Sequence, residues 1–203
     1  LASPADDLYK QAQGLEAEGK MLEAKDAFQQ IINEHSDYKN IEQVSQDLYA
    51  LNMKILFSSV QTPKTVVHEV VVGDTLGKIS KKYNVTMDLI KAANAMSSDV
   101  VRVGQKLRIW TGKFSVSVSK SQNILMLRSD EDIIKVYSVS TGANNSTPIG
   151  TFKVVNKIKD PVWFKETGAV IPPESPENAL GSRWLGFDIK GYGIHGTVQP
   201  DKI

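Results

Sequence analysis

Apolar residues recur every three to four positions through residues 1–60. Leu8, Ala12 and Leu15 form a first run; Leu22, Ala24, Ala27, Phe28, Ile31 and Ile32 a second; Ile41, Val44, Leu48, Leu51, Ile55 and Leu56 a third. That spacing lays an apolar stripe along one side of a helix of about 3.6 residues per turn, so the stretch predicts amphipathic helices. Gly19 falls between the first two runs and suits a tight helix–helix connection. The polar stretch "SSVQTPKT", Ser58 to Thr65, then reads as a linker.

From Val66 to Trp110 the pattern becomes strand, helix, helix, strand. The β-branched run Val70–Val72 leads into Gly73-Asp74-Thr75, where Thr75 or Asp74 suits a helix cap over Leu76, Ile79, Ser80 and Tyr83. Asn84-Val85-Thr86 breaks that helix, and Thr86 suits the cap of the next, with Met87, Leu89, Ile90 and Ala93 as its buried face. A turn at Val103-Gly104-Gln105 opens the closing strand "KLRIW". After Gly112 the period shortens to two: Phe114, Val116 and Val118 face one way, Ser115, Ser117 and Ser119 the other. "KSQN" and "SDED" read as turns, "GTFKVVNKI" as another strand. The Pro- and Gly-rich stretch "KDPVWFKETGAVIPPESPENALGSRWLGF" reads as a long loop, of the kind that carries function or moves. The fold class is therefore multidomain α+β. It comprises a helical hairpin or three-helix module at 1–60, a βααβ module at 66–110 and a mainly-β domain at 113–203.

Composition narrows the function. A net charge of +1 gives no field to recruit nucleic acid or anionic lipid by charge alone. No apolar run is long enough to span a bilayer. The chain has no cysteine, which excludes disulfides and thiolate metal sites within it. His35, His68 and His195 share no spacing that would make a metal site, and His35 and His68 read as surface or packing residues. "GDTLGKI" fails as a phosphate-binding loop, because three residues rather than four separate Gly73 from Gly77 and Ile79 follows Lys78. The chain opens on Leu1 with no basic stretch and apolar core before it, so a signal peptide is absent or already removed.

Three stretches resemble known families. "GKMLEAKDAFQQIINEHS" resembles the second half of a tetratricopeptide repeat, with Gly19, Ala24, Ala27 and Phe28 at its packing positions. A single repeat is visible, so a helical module that only packs and one that binds a protein partner both remain open. "GDTL", "IS", "Y-N-V", "LIKAAN" and "VGQKLRI" occur in the order of a LysM module. That resemblance implies binding of N-acetylglucosamine-containing glycans. The turn Gly73, Asp74, Thr75 and Leu76 would then be one groove wall and the loop 95–101 the other; for Asp74 and Thr75, helix capping is the competing role.

"SVSTG", "TPIGTFKV", "DPVW", "NALGSRWLGF" and "YGIHGT" follow in the order of the L,D-transpeptidase catalytic domain. The resemblance implies a β-sandwich-like fold and a cysteine nucleophile acting on peptidoglycan tetrapeptide stems. It requires no metal or organic cofactor. His195 matches the first histidine of the family pattern, and the carbonyl of Gly196 the acceptor that fixes its tautomer. The pattern continues about 15–20 residues later with Ser/Thr-His-Gly-Cys, so the chain is expected to end before its nucleophile. Tyr192, Arg183 and Trp184 are candidates for the substrate pocket; core packing and a structural ion pair are the alternatives for them. The expected protein is an exported bacterial cell-envelope L,D-transpeptidase held on peptidoglycan by LysM. The alternative is a wall adaptor whose transpeptidase-like domain is inactive.

Overall fold

In the computed structural model, which describes residues 3–165 and 167–203, the chain divides into two compact units. One holds the chain up to Ser119 together with Ile124–Tyr137; the other holds Lys120–Asn123 and Ser138–Ile203. Helices and several small sheets alternate along the chain, so the mixed α+β class read from the pattern is the class observed.

The first unit opens with α1 (Pro4–Ala17), α2 (Met21–Glu34) and α3 (Ile41–Leu56). Ser3 caps α1 in a reciprocal box with Asp6, satisfying two amide groups that the first turn would leave unpaired. Gly19, at φ +77°, lets the chain leave α1 through a Lys20 N–H to Leu15 C=O bond. Ala24 and Phe28 of α2 and Val44 and Leu51 of α3 are fully buried in a shared core. Leu22, read from its sequence with that stripe, lies instead on the outer face. Tyr9 reaches across to Asp47 at 2.6 Å; burial first, and then that carboxylate, push its phenol up to about 12.

β1 (Thr65–Glu69), α4 (Leu76–Tyr83), α5 (Met87–Ala93) and β2 (Lys106–Trp110) follow, with β1 and β2 antiparallel and His68 opposite Leu107. The strand expected to run on through Val70–Val72 stops at Glu69, because Val71–Asp74 closes a turn (Asp74 N–H to Val71 C=O, 3.1 Å). Thr75 and Thr86 cap the two helices. Leu76, Ile79, Ile90, Leu107 and Ile109 make a second core.

β2 has little exposed surface on either side. Leu107 and Ile109 enter this second core, while Trp110 enters the helical one. Arg108, only 3% exposed, points at the end of α3. Its Nε donates to the Val60 carbonyl (2.6 Å), its Nη1 to Leu56 (3.0 Å) and its Nη2 to Ile55 (3.1 Å). These include carbonyls that a helix C-terminus leaves without intrahelical partners, and a cation is favoured there. The polar stretch 58–65 is thereby tied down rather than left as a free tether.

The antiparallel sheet β3 (Phe114–Ser119), β4 (Ile124–Ser129) and β5 (Asp132–Ser138) is ordered β3-β4-β5. Ile134 and Leu127 join the helical core, Trp110 Nε1–H donates to Ser129 Oγ (3.0 Å) and Asn52 donates to the Ile133 carbonyl (2.9 Å). Asp132 sits between Lys25 (2.7 Å) and Lys64 (2.9 Å). Burial raises its pKa, and the two ammonium groups more than reverse that, leaving it below the ordinary carboxylate range. Phe114, Val116 and Val118 fall on alternate positions of β3 but stay about two-fifths exposed, and no position from 114 to 118 of this edge strand is buried.

The second unit is built on β6 (Val154–Lys159), β9 (Arg183–Phe187) and β10 (Gly193–His195), antiparallel in the order β10-β9-β6, with a short hairpin of β7 (Trp163–Phe164) and β8 (Val170–Ile171). Asn178 organises the long loop. Fully buried, it donates to the carbonyls of Pro161 (2.8 Å) and Pro172 (3.1 Å), and its Oδ1 accepts from Leu180 N–H (3.0 Å). One amide side chain thus closes three loop segments on each other.

Candidate active site

His195 ends β10, where the register sets it directly opposite Trp184 of β9. The two rings stack with centroids 6.0 Å apart and planes 16° from parallel. Glycine makes room for this arrangement. A Cβ on Gly193 would lie 2.5 Å from the Leu185 carbonyl oxygen and 2.7 Å from the Trp184 ring. Gly181, at φ +59°, brings the 178–182 segment so close to the chain after His195 that a Cβ there would meet Thr197 N at 2.7 Å.

His195 Nδ1 lies 2.7 Å from the carbonyl oxygen of Gly196. A carbonyl only accepts, so Nδ1 carries the proton and donates it. Nε2 then keeps its lone pair, and among the described residues no hydrogen bond occupies it. Gly196 is fixed in turn by its N–H to the Arg183 carbonyl (3.1 Å). The side chain of His195 is exposed, so Nε2 is open to a reacting partner.

The other candidate residues fall in different surroundings. Trp184 carries the imidazole on its face. Arg183 is exposed, donates to the Ser182 carbonyl (2.7 Å) and stands 3.8 Å from Asp160. Tyr192 is 37% exposed and is engaged through its backbone, its carbonyl accepting from Phe187 N–H (2.9 Å). None of these three lines the cleft that the second unit does possess. That cleft, about 480 Å³, is walled by Trp163, Lys165, Glu177, Thr197, Val198 and Gln199, and it begins two residues after His195. Trp163, Lys165 and Glu177 come from the irregular loop and the other three from the segment after β10, and they offer no periodic pattern in the sequence; the "DPVW" motif is the one signal that pointed there.

In the first unit, Gly73 takes φ +89° and its carbonyl accepts from Lys78 Nζ (2.8 Å). Asp74 Oδ2 accepts from Val71 N–H (3.0 Å) and from His68 Nε2 (2.9 Å), while His68 Nδ1 meets the Tyr83 hydroxyl (3.1 Å). The Val71 amide and then the His68 bond hold the Asp74 carboxyl below its ordinary value. Thr75 caps α4, and Leu76 is buried in the second core. Of these four turn residues, then, Asp74, Thr75 and Leu76 use their side chains to build the turn. His68 is packed, as read, and it also holds the turn's carboxylate.

Comparison with known proteins matches residues 68–110 to the LysM domain and residues 113–203 to the L,D-transpeptidase catalytic domain. The chain is 42% identical over 94 residues to "Putative L,D-transpeptidase YqjB" of Bacillus subtilis, covering 43% of this chain and 52% of that protein. It is 25% identical over 143 residues to "Putative L,D-transpeptidase YkuD" of the same organism, covering 67% and 78%. It is also 32% identical over 73 residues to "Cell wall-binding protein YocH", again from Bacillus subtilis, covering 36% and 25%. The chain thus spans about half the length of YqjB. With the ordered motifs, the βααβ element order and these matches together, residues 113–203 are an L,D-transpeptidase catalytic domain, preceded at residues 68–110 by a LysM domain.

Proposed function

We propose that the protein acts in the bacterial cell envelope as a peptidoglycan L,D-transpeptidase, with His195 as its acid–base group and LysM holding it on the glycan. The observation that carries this reading is the bond from His195 Nδ1–H to the Gly196 carbonyl, which leaves Nε2 as the lone-pair nitrogen of an exposed imidazole.

The chemistry needs a thiol, which would come from outside these 203 residues, since none of them is cysteine. Nε2 takes the thiol proton, and the thiolate attacks the carbonyl that joins the third stem residue to D-alanine. As the tetrahedral adduct collapses, the imidazolium returns that proton to the leaving D-alanine amine, giving a thioester. Nε2 then takes a proton from the incoming amine as it attacks the thioester, and the thiolate leaves. The Gly196 carbonyl steadies the imidazolium through Nδ1–H at each stage, and Trp184 limits ring rotation. Glycan binding through LysM adds no chemistry. It raises the local concentration of stem peptides, which is tethering.

The test uses the natural full-length protein, incubated with a disaccharide tetrapeptide and followed by intact mass. A thioester adduct that has lost D-alanine is expected, and its absence from His195→Ala. An undiminished adduct in His195→Ala refutes the base role. No adduct in the wild type, with retained pelleting on insoluble peptidoglycan, replaces the enzyme reading with the adaptor one.

A further inference from the structure

The net charge of +1 is a sum over modules of opposite sign. Residues 1–60 carry ten Asp and Glu against five Lys and Arg, whereas residues 66–110 carry seven Lys and Arg against four Asp and Glu. The LysM segment therefore has a positive field of its own, which the whole-chain figure conceals. Its anions are already engaged. Asp88 and Asp99 share Lys91 (3.2 and 2.8 Å), Asp74 accepts from Val71 and His68, and Glu69 stands across the ladder from Lys106. Arg108 is buried against the carbonyls of Ile55, Leu56 and Val60.

The remaining charge is concentrated on α4. Lys81 and Lys82 follow Lys78 at three and four residues, so both lie on its side of the helix, with Cβ atoms about 5–6 Å from that of Lys78. All three lysines are exposed, and among the described residues no carboxylate lies within ion-pair distance of them. The helix dipole favours Lys81 and Lys82 in the last turn but opposes Lys78 in the first, so capping alone does not account for the row. Lys78 Nζ is steadied by the Gly73 carbonyl (2.8 Å), and Lys82 Nζ stands 5.2 Å from the centre of the Tyr83 ring. Leu76 and Ile79, the large apolar residues of the same helix, are buried in the second core, so this face has none to enter a lipid surface. Tyr83 offers no platform for a nucleic-acid base, because its hydroxyl meets His68 Nδ1 (3.1 Å) and its ring packs edge-on against that imidazole.

We propose that the Lys78, Lys81 and Lys82 face of α4 binds a flexible phosphodiester polymer attached to peptidoglycan. A chain with one negative charge per repeat follows a row of point charges, and the ammonium of lysine suits phosphate without demanding the planar, two-pronged geometry of a carboxylate. The acidic helical module is repelled by the same polymer, so the chain meets it through residues 68–110. The contact adds to the LysM–glycan contact on the same wall, and each raises the local concentration for the other. Its place in the wall rests on the envelope reading proposed above; the charge contact itself needs neither glycan binding nor acyl transfer.

The test is titration of this chain with a soluble glycerol-phosphate polymer at a series of sodium chloride concentrations. Three phosphate contacts on a flexible strand give a slope of log affinity against log salt of about −2, a loss of roughly tenfold to twentyfold between 50 and 200 mM. The double variant Lys81→Gln/Lys82→Gln should reduce that slope to about −0.7, with an unaltered circular dichroism melt. Lys106→Gln, whose neighbour across the ladder is Glu69, should leave it unchanged. Pelleting then places the polymer: retention on intact peptidoglycan should depend on salt, and retention on peptidoglycan stripped of its phosphodiesters by cold hydrofluoric acid should not. No binding of the soluble polymer, a wild-type slope in the double variant, an equal fall in slope for Lys106→Gln, or the same salt dependence on intact and stripped walls overturns the proposal. Titration with a soluble N-acetylglucosamine tetramer reads glycan binding by itself, and the thioester assay reads the reaction, so the readings fail separately.

Discussion

Replacing Arg108 with methionine keeps the side-chain stem and removes the guanidinium. The wild-type group ties β2 to the end of α3 through three carbonyls and lies 5.4 Å from the Trp110 ring. In the variant, Ile55 C=O keeps a partner in Ser58, whose N–H and hydroxyl both donate to it. The Leu56 and Val60 carbonyls lose theirs. Each buried acceptor left unpaired costs about 1–3 kcal/mol, so the expected loss is about 2–6 kcal/mol. A domain's whole stability is about 5–15 kcal/mol, which makes this a large fraction. Arg108→Lys should fall between wild type and methionine, because a single ammonium cannot span three carbonyls. Urea unfolding followed by far-ultraviolet circular dichroism reads the helical part directly. A loss below about 1 kcal/mol for Arg108→Met, with an unchanged denaturant slope, refutes the claim that this residue fastens the βααβ module to the helices.

Gly193→Ala pushes a methyl into the Leu185 carbonyl and the Trp184 ring. It should cost about 1–3 kcal/mol and unstack His195 from Trp184, seen as a shift of the imidazole proton resonances; unchanged resonances count against the stack. Asp132 supplies an acid-sensitive contact. Its folded pKa lies below the ordinary 3.8, so its stabilisation is complete above that pH and is lost as pH falls through the lowered folded value. The stability gap between wild type and Asp132→Asn should therefore be constant near neutrality and shrink below about pH 4; a gap independent of pH removes the ion pairs from the account.

What the sequence disclosed follows from what is local. The stripe Val44, Leu48, Leu51 and Ile55 is buried as its spacing requires, because helical period and burial are set within a few turns. Leu22 departs from its stripe: it is 36% exposed, while Ala24, Ala27, Phe28 and Ile31 of the same helix fill the core. Arg108 looked like the polar member of an alternating strand. Its burial depends on carbonyls some fifty residues earlier, which no local pattern encodes. The partnership of His68 with Asp74 likewise exists only once Val71–Asp74 has turned back over β1. At the candidate site, His195 and Gly196 were legible as an ordered motif. Lys165 and Glu177 were not, because they meet through an irregular loop closed by Asn178, and neither periodicity nor a short motif marks them.

The account rests most directly on one nitrogen, Nε2 of His195. Nitrogen-15 NMR of the imidazole in the natural protein, at a pH where the ring is neutral, reads which nitrogen is protonated. The Gly196 carbonyl dictates a protonated Nδ1 and a bare Nε2. A ring protonated at Nε2, or one averaging freely between the two forms, would contradict the base on which the proposed acyl transfer depends.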